Sequence, residues 1–310
     1  MTKKPRIGFI GAGKVGASLA VFLSERGYDV VSVASRSFSS ARRLASLVSD
    51  CSPCKELQGA ADTAELVFIT TLDDAIGPVV AGVRWRPGQS VVHCSGTASL
   101  DILEPARRAG AMVGGFHPLQ TFSSIEQALT DLPSSTFDLE ADEPLLSMLV
   151  SLAEAVSGNW IRLSAEDKVL YHAGAIISGI LGATVLVSAS ADLWGGFGVP
   201  PNEVVKAVLP SMRGTLRAIE QMGLPDSVGG PYARGDIGTI QKHIDAIRER
   251  VPSVFSLYKE LGRHCVPMAL AKGSIDCQIV EQIYRILKID GFVKSRESLE
   301  NVIPAKAGIQ

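Results

Sequence analysis

The stretch Arg6-Ile7-Gly8-Phe9-Ile10-Gly11-Ala12-Gly13-Lys14-Val15-Gly16-Ala17-Ser18-Leu19-Ala20 decides the fold. Ile7 to Ile10 reads as a short buried strand. Leu19, Ala20 and Leu23 then recur on one face of a helix. Between strand and helix stand Gly11, Gly13 and Gly16, spaced G-x-G-x-x-G. In that context the spacing is a dinucleotide fingerprint. Gly11 permits the tight turn, Gly13 lets the backbone approach a pyrophosphate, and Gly16 lets the helix lie close to the strand. Lys14 and Val15 open the helix, whose N-terminal N–H groups would face the phosphates.

The next strand indicates which dinucleotide. Val30 to Ala34 ends in Ser35-Arg36-Ser37. An NAD site places a carboxylate here, on the ribose 2′-OH. Here the position is Ser35, followed by Arg36. A guanidinium grips a 2′-phosphate bidentately where a carboxylate would repel it. Ser37 can add a hydroxyl, so the pattern favours NADP(H).

Strand and helix signals go on alternating. A helix is expected near Phe38–Leu47 and strands at Ala64–Thr71, Ser90–Cys94 and Met112–Phe116, with Asp73-Asp74 opening a helix between. Such alternation implies a doubly wound parallel sheet of Rossmann type, with its ligand crevice at the carboxyl ends of the strands. Thr71, Leu72, Ser95, Gly96 and His117 fall at those ends and join the glycine turn as candidates. From about Ser164 helical periodicity takes over, broken at Gly195-Gly196, Pro200-Pro201, Gly223–Pro225 and Gly229-Gly230-Pro231. The expected division is a cofactor-binding domain over 1–160, an all-α substrate and dimerisation domain over 161–295, and a loose tail over 296–310.

Composition narrows the function class. A net charge of −2 gives no electrostatic footprint for nucleic acid. Five scattered cysteines and an opening that goes straight into a strand fit a reducing cytoplasm. Cys51-Ser52-Pro53-Cys54 lies in a loop-like stretch with no second pair at zinc-site spacing, so neither a redox nor a metal role is expected. Ala173–Ala191 is uncharged and long enough to span a bilayer, but it is rich in Gly, Ser and Ala. A buried central helix, at a homodimer interface of the helical domain, is the reading preferred to a membrane span.

Three polar constellations carry candidate chemistry. His117, in Gly115-Phe116-His117-Pro118-Leu119-Gln120-Thr121-Phe122, is a proton donor, a substrate ligand or a loop-ordering side chain. Lys168 and His172 stand at i, i+4 on one helical face. They can protonate a carbonyl or imine as hydride arrives; alternatively Lys168 pairs with Glu166 or Asp167 at the surface while His172 fills a packing gap. Arg234-Gly235-Asp236 precedes a helix carrying Thr239 and His243. Arg234 can clamp a substrate carboxylate with Asp236 beside it, or Asp236 simply caps the helix.

Taken together, the glycine turn, Ser35-Arg36-Ser37, His93-Cys94-Ser95-Gly96, the His117 segment, Lys168 with Tyr171-His172, and Gly230-Pro231-Tyr232-Ala233-Arg234-Gly235-Asp236 resemble a bacterial family of NADP oxidoreductases. That family joins a Rossmann-like N-terminal domain to a helical C-terminal domain of unknown function. More distantly the pattern is similar to 6-phosphogluconate and β-hydroxyacid dehydrogenases, pyrroline-5-carboxylate reductase and ketopantoate reductase. In the β-hydroxyacid group a lysine, followed four residues on by an amide, serves the substrate; Lys168 and His172 fall at a similar place. The asparagine usual two turns after that histidine is absent, the region reading Ser178-Gly179-Ile180. The resemblance implies hydride transfer to or from a small carbonyl, imine or hydroxy acid in a cleft between domains. Rival readings are a non-catalytic NADP-binding sensor, hydride exchange with a flavin-like carrier and a Rossmann-like methyltransferase, the last disfavoured by Arg36.

Overall fold

The computed structural model describes residues 4–156 and 158–288. The chain divides into two compact units at Leu181/Gly182. In the first, eight strands form one sheet: β1 Ile7–Ile10, β2 Val30–Ala34, β3 Ser52–Cys54, β4 Leu66–Ile69, β5 Ser90–His93, β6 Met112–Leu119, β7 Thr136–Ala141 and β8 Asn159–Arg162. Their order is β3-β2-β1-β4-β5-β6-β7-β8. Every pairing is parallel except β6 with β7. The order reverses beside β1, so a crevice opens at the carboxyl ends of β1 and β4.

Helices α1 Lys14–Glu25, α2 Phe38–Ala45, α3 Leu57–Thr63, α4 Asp73–Ala81, α5 Glu104–Arg108, α6 Ile125–Asp131, α7 Leu145–Val156 and α8 Ala165–Ser178 complete the first unit. One face of the sheet packs Phe9, Phe68, Val92, Phe116 and Leu139 against α1 and α7. The other packs Ile69, Val91 and Val113 against α3, α4 and α5. Phe9, Phe68, Phe116 and Phe137 run as a ladder of ring contacts, with centroids 4.5–5.6 Å apart. Burial of both faces explains the near-continuous apolar runs of the central strands.

The sheet extends further than the sequence reading. β7 and β8 were not anticipated, and β8 occupies the expected domain boundary. β3, read as loop, is an edge strand paired with β2, its Pro53 tolerated at the edge. α8 starts where Ser164 accepts the Asp167 N–H and donates to its carboxylate, with Glu166 and Asp167 in the first turn.

The helices that follow are α9 Ile180–Gly195, α10 Pro201–Met222, α11 Gly230–Ala233, α12 Ile237–Arg250, α13 Phe255–Lys272 and α14 Cys277–Leu287. α11 to α14 enclose a core of Tyr232, Ile240, Ile244, Val266, Val280 and Ile283. Gly262 admits the Tyr232 ring, since a Cβ there would lie 2.6 Å from the hydroxyl. The helix breaks fall at the expected Gly and Pro clusters. The expected tail over 296–310 lies outside the described residues.

The apolar segment around Ala173–Ala191 is not the buried helix its composition implied. It is split at Gly179 between α8 and α9, and α9 buries no residue. Leu170 is 79% and Ile177 66% exposed. Residues 165–195 together pass the length and composition test for a membrane crossing. Lys168 nevertheless sits fully buried in this stretch, against the carboxylates of β7.

Candidate active site

The glycine turn has the form the fingerprint requires. Gly11 adopts φ +118°, and a Cβ on it would lie 2.6 Å from the Thr70 carbonyl. A Cβ on Gly16 would strike Thr70 Oγ1 and come within 2.7 Å of the Gly11 carbonyl oxygen. Thr70 Oγ1 in turn donates to that oxygen at 2.9 Å, locking β4 to the turn. Gly13 is different: nothing lies closer than 4.0 Å to its Cβ position. Gly13 also N-caps α1 without a side-chain hydrogen bond. The first N–H groups of α1 therefore lack intrahelical partners beside an open backbone surface, which suits a pyrophosphate. Lys14 is exposed next to them.

The remaining cofactor candidates surround this turn. Arg36 and Ser37 are exposed beyond β2, and Ser37 N-caps α2 without a capping bond, its hydroxyl meeting that of Ser39 at 2.8 Å. Thr71 Oγ1 is buried without a hydrogen-bond partner. Leu72 is 80% exposed at the N-cap of α4. Ser95 Oγ donates to Asp73 and accepts the N–H groups of Thr97 and Ala98, shaping the turn after β5. Open Gly13, uncapped α1, orphaned Thr71 and exposed Arg36 all fit a dinucleotide.

A cavity of about 200 Å³ joins this region to the polar candidates. Val15, Asp73, Ser95, Gly96, His117 and His172 are among its lining residues. The His117 and His172 rings stand edge to face, with centroids 5.7 Å apart. Gly96 makes room for them, since a Cβ there would strike His172 and lie 2.9 Å from His117 Nε2.

Beneath the cavity is a charge cluster built by strand register. β6 pairs His117 directly with Asp138 of β7, and Gly115 with Glu140. β5 pairs His93 with Gly115. Directly paired residues share a sheet face, as do residues two apart on one strand, so all five lie on one face. His117 Nδ1 lies 2.7 Å from Asp138 Oδ2, a carboxylate with no exposed surface. The Lys168 ammonium, also fully buried, lies 3.3 Å from Glu140 and 3.8 Å from Asp138. His93 accepts the Ser95 N–H on Nδ1, which leaves the proton on Nε2. Burial, then the Lys168 ammonium and His117, lowers the His93 pKa to about 3, so this ring stays neutral. Burial and the Asp138 charge push the Tyr171 phenol up to about 12. A carboxylate holding Nδ1–H turns Nε2 of His117 to the cavity as a proton-transfer atom.

The structure thus brings His117 and His172 together and puts Lys168 behind them. Lys168 pairs with Asp138 and Glu140, not with Glu166 or Asp167 as the surface alternative had it. Arg234 and Asp236 lie in the second unit. Asp236 caps α12 by accepting the Thr239 N–H at 3.0 Å and its hydroxyl at 2.7 Å. Those hydrogen bonds, with Arg234 and Lys242 nearby, hold its carboxyl below the usual range. Arg234 is exposed, and His243 bonds the Tyr258 hydroxyl. Burial, with Cys54 adding, pushes the Cys51 thiol up to about 11, unlike a reactive thiolate. Asp138, Glu140, His93 and Gly115 were missed. The alternation Phe137-Asp138-Leu139-Glu140, read as a strand against Phe116-His117, was the available signal.

Comparison with known proteins gives a consistent picture. Residues 2–118 match the Rossmann-like domain family, and residues 135–265 match a domain of unknown function, DUF2520. No protein of curated function matches the sequence. Among solved structures, a Bacteroides fragilis protein titled a putative NADP oxidoreductase is 25% identical, covers 85% of this chain and 98% of its own, and has a TM-score of 0.66. A Thermotoga maritima protein is 24% identical over 86% of this chain and 99% of its own, with a TM-score of 0.68. A reductive aminase from Aspergillus terreus, solved with NADPH and ethyl-5-oxohexanoate, is 15% identical over 90% of this chain and 99% of its own, with a TM-score of 0.62. The last two likenesses are of fold. His117 falls at the end of the Rossmann-like match, and Asp138 at the start of the other.

Proposed function

Starting from a chain that joins a Rossmann-like domain to a DUF2520 domain, we propose that this protein is an NADP(H)-dependent oxidoreductase acting on a small carbonyl, imine or hydroxy acid. One observation carries the reading: Val15 of the glycine turn and the Asp138-bound His117 line the same cavity. The B. fragilis relative, described as a putative NADP oxidoreductase, points the same way.

The bound cofactor supplies or accepts hydride. The chain does the rest. Gly11, Gly13, Lys14, Val15 and Gly16 hold the pyrophosphate, Ser35, Arg36 and Ser37 the 2′-phosphate, and Thr71, Leu72, Ser95 and Gly96 border the path to the cavity. His117 gives the Nε2 proton to the substrate heteroatom in reduction and takes it back in oxidation, while Asp138 fixes its tautomer. His172 offers a second imidazole to the substrate. Residues 1–160 serve the cofactor on this reading, and α8 opens the part that serves the substrate. The exposed apolar residues of α8 and α9 are the contact of a homodimer, and the protein works in the cytoplasm.

The test follows NADPH oxidation against a panel of small ketones, keto acids and cyclic imines, with His117→Asn as control. Turnover lost in the variant supports the assignment. Saturable NADPH binding with no turnover across the panel would favour the sensor reading.

A further inference from the structure

Building on that reading of His117, we infer that Gly115, Lys168 and Glu140 form a clamp that positions the Asp138 carboxylate, and that Lys168 is a positioning residue, not a proton donor. The clamp follows from a missing side chain. On the rung His93–Gly115–Glu140 the central position is empty. The Lys168 ammonium fills it: a Cβ on Gly115 would lie 2.9 Å from Nζ and 3.6 Å from Glu140 Cβ. Over Gly115, the ammonium stands level with Glu140 and one pleat from the His117–Asp138 rung. From there it reaches both carboxylates.

The charge balance requires this arrangement. Asp138 and Glu140 project from one face of β7, two residues apart, and two buried carboxylates repel. Asp138 has no exposed surface, and Glu140 is 14% exposed. Lys168 is the side-chain amine placed between the two carboxylates, 3.3 Å from Glu140 and 3.8 Å from Asp138. It holds Asp138 by Oδ1, which has no hydrogen-bond donor of its own, and leaves Oδ2 to His117. His172, Tyr171, Cys94 and Asp73 are the other titratable groups around the pair. The Lys168 ammonium has no exposed surface and is not among the residues lining the cavity, whereas His117 is.

The test is proton NMR of the full-length protein, reading the low-field resonance of the His117 Nδ1–H hydrogen bond. His117→Asn and Asp138→Asn identify it by its loss. Gly115→Ala is the diagnostic variant: the added methyl is too close only to the end of the flexible Lys168 side chain, its contacts with Glu140 Cβ and His93 Cε1 being ordinary van der Waals ones, so the ammonium is the group that moves. Glu140→Gln removes the other anchor with little change of shape. The expected result is a shifted or exchange-broadened resonance in both variants, with kcat down tenfold or more and the NADPH Kd within about twofold. An unchanged resonance in both overturns the clamp. So does Lys168→Met, if it abolishes turnover while the resonance stays in place, because Lys168 would then act on the substrate itself. If no low-field resonance depends on Asp138, the dyad fails, and the reading of His117 with it.

Discussion

His117 and Asp138 face each other across the antiparallel pairing of β6 with β7, the only one among the described residues, with Nδ1 2.7 Å from Oδ2. The pair is made by strand register and sits one rung from the Lys168–Glu140 contact. Asp138→Asn offers an amide where a carboxylate held Nδ1–H, and so favours the wrong tautomer. We expect kcat to fall by roughly 10²- to 10⁴-fold with NADPH affinity within about twofold. Steady-state kinetics beside NADPH titration check this, and wild-type kcat in the variant would remove the dyad from the chemistry.

Two glycines of the turn should separate stability from binding. Gly16→Ala drives a methyl into Thr70 and the Gly11 carbonyl, so it should destabilise the protein by about 1–3 kcal/mol. Gly13→Ala meets nothing closer than 4.0 Å and should melt near the wild type. Its methyl occupies the surface a pyrophosphate would approach, so NADPH affinity should drop tenfold or more. Thermal melts and titrations of both variants decide it, and equal effects would deny Gly13 its special place.

Acid should weaken the fold through His93. Its pKa is about 3 when folded, against an ordinary 6.5. Between those values the unfolded chain binds a proton that the native state does not. Stability is therefore whole above about pH 6.5 and falls as pH drops toward 3, by up to about 1.4 kcal/mol per unit. His93→Asn keeps an acceptor for the Ser95 N–H and loses the titration. Urea melts from pH 7 to 4 should show a shallower decline in the variant, and parallel curves would assign the acid sensitivity elsewhere.

The exposed faces of α8 and α9 should bury each other's copies. Ile177 and Leu181 are more than half exposed, and such patches mark contact surfaces. Light scattering should give a dimer for the wild type and a monomer for Ile177→Asp/Leu181→Asp. A monomeric wild type at micromolar concentration would refute the contact.

The cofactor half was legible because its constraints are local. Gly11, Gly13 and Gly16 announce a turn whose geometry few other residues accept, and Ser35 stands where an NAD site has its carboxylate, with Arg36 directly after it. The charge cluster was hidden because it is made by pairing between distant segments. Asp138 and Glu140 alternate with Phe137 and Leu139 as solvent-facing residues would, and only α8 folded over them makes them interior. Lys168 was visible as a candidate, but its partners lie on β7, which spacing along α8 cannot indicate. The apolar segment 173–191 misled for a related reason: low charge signals burial without saying whether the same chain or another copy provides it.

The most direct test of the account is calorimetric titration of the wild type and Arg36→Ala with NADPH and NADH. The account predicts micromolar NADPH binding, much weaker NADH binding, and an Arg36→Ala loss of roughly tenfold to a hundredfold confined to NADPH. No binding of either cofactor by the wild type would contradict it, leaving the glycine turn a structural feature and the oxidoreductase reading without support.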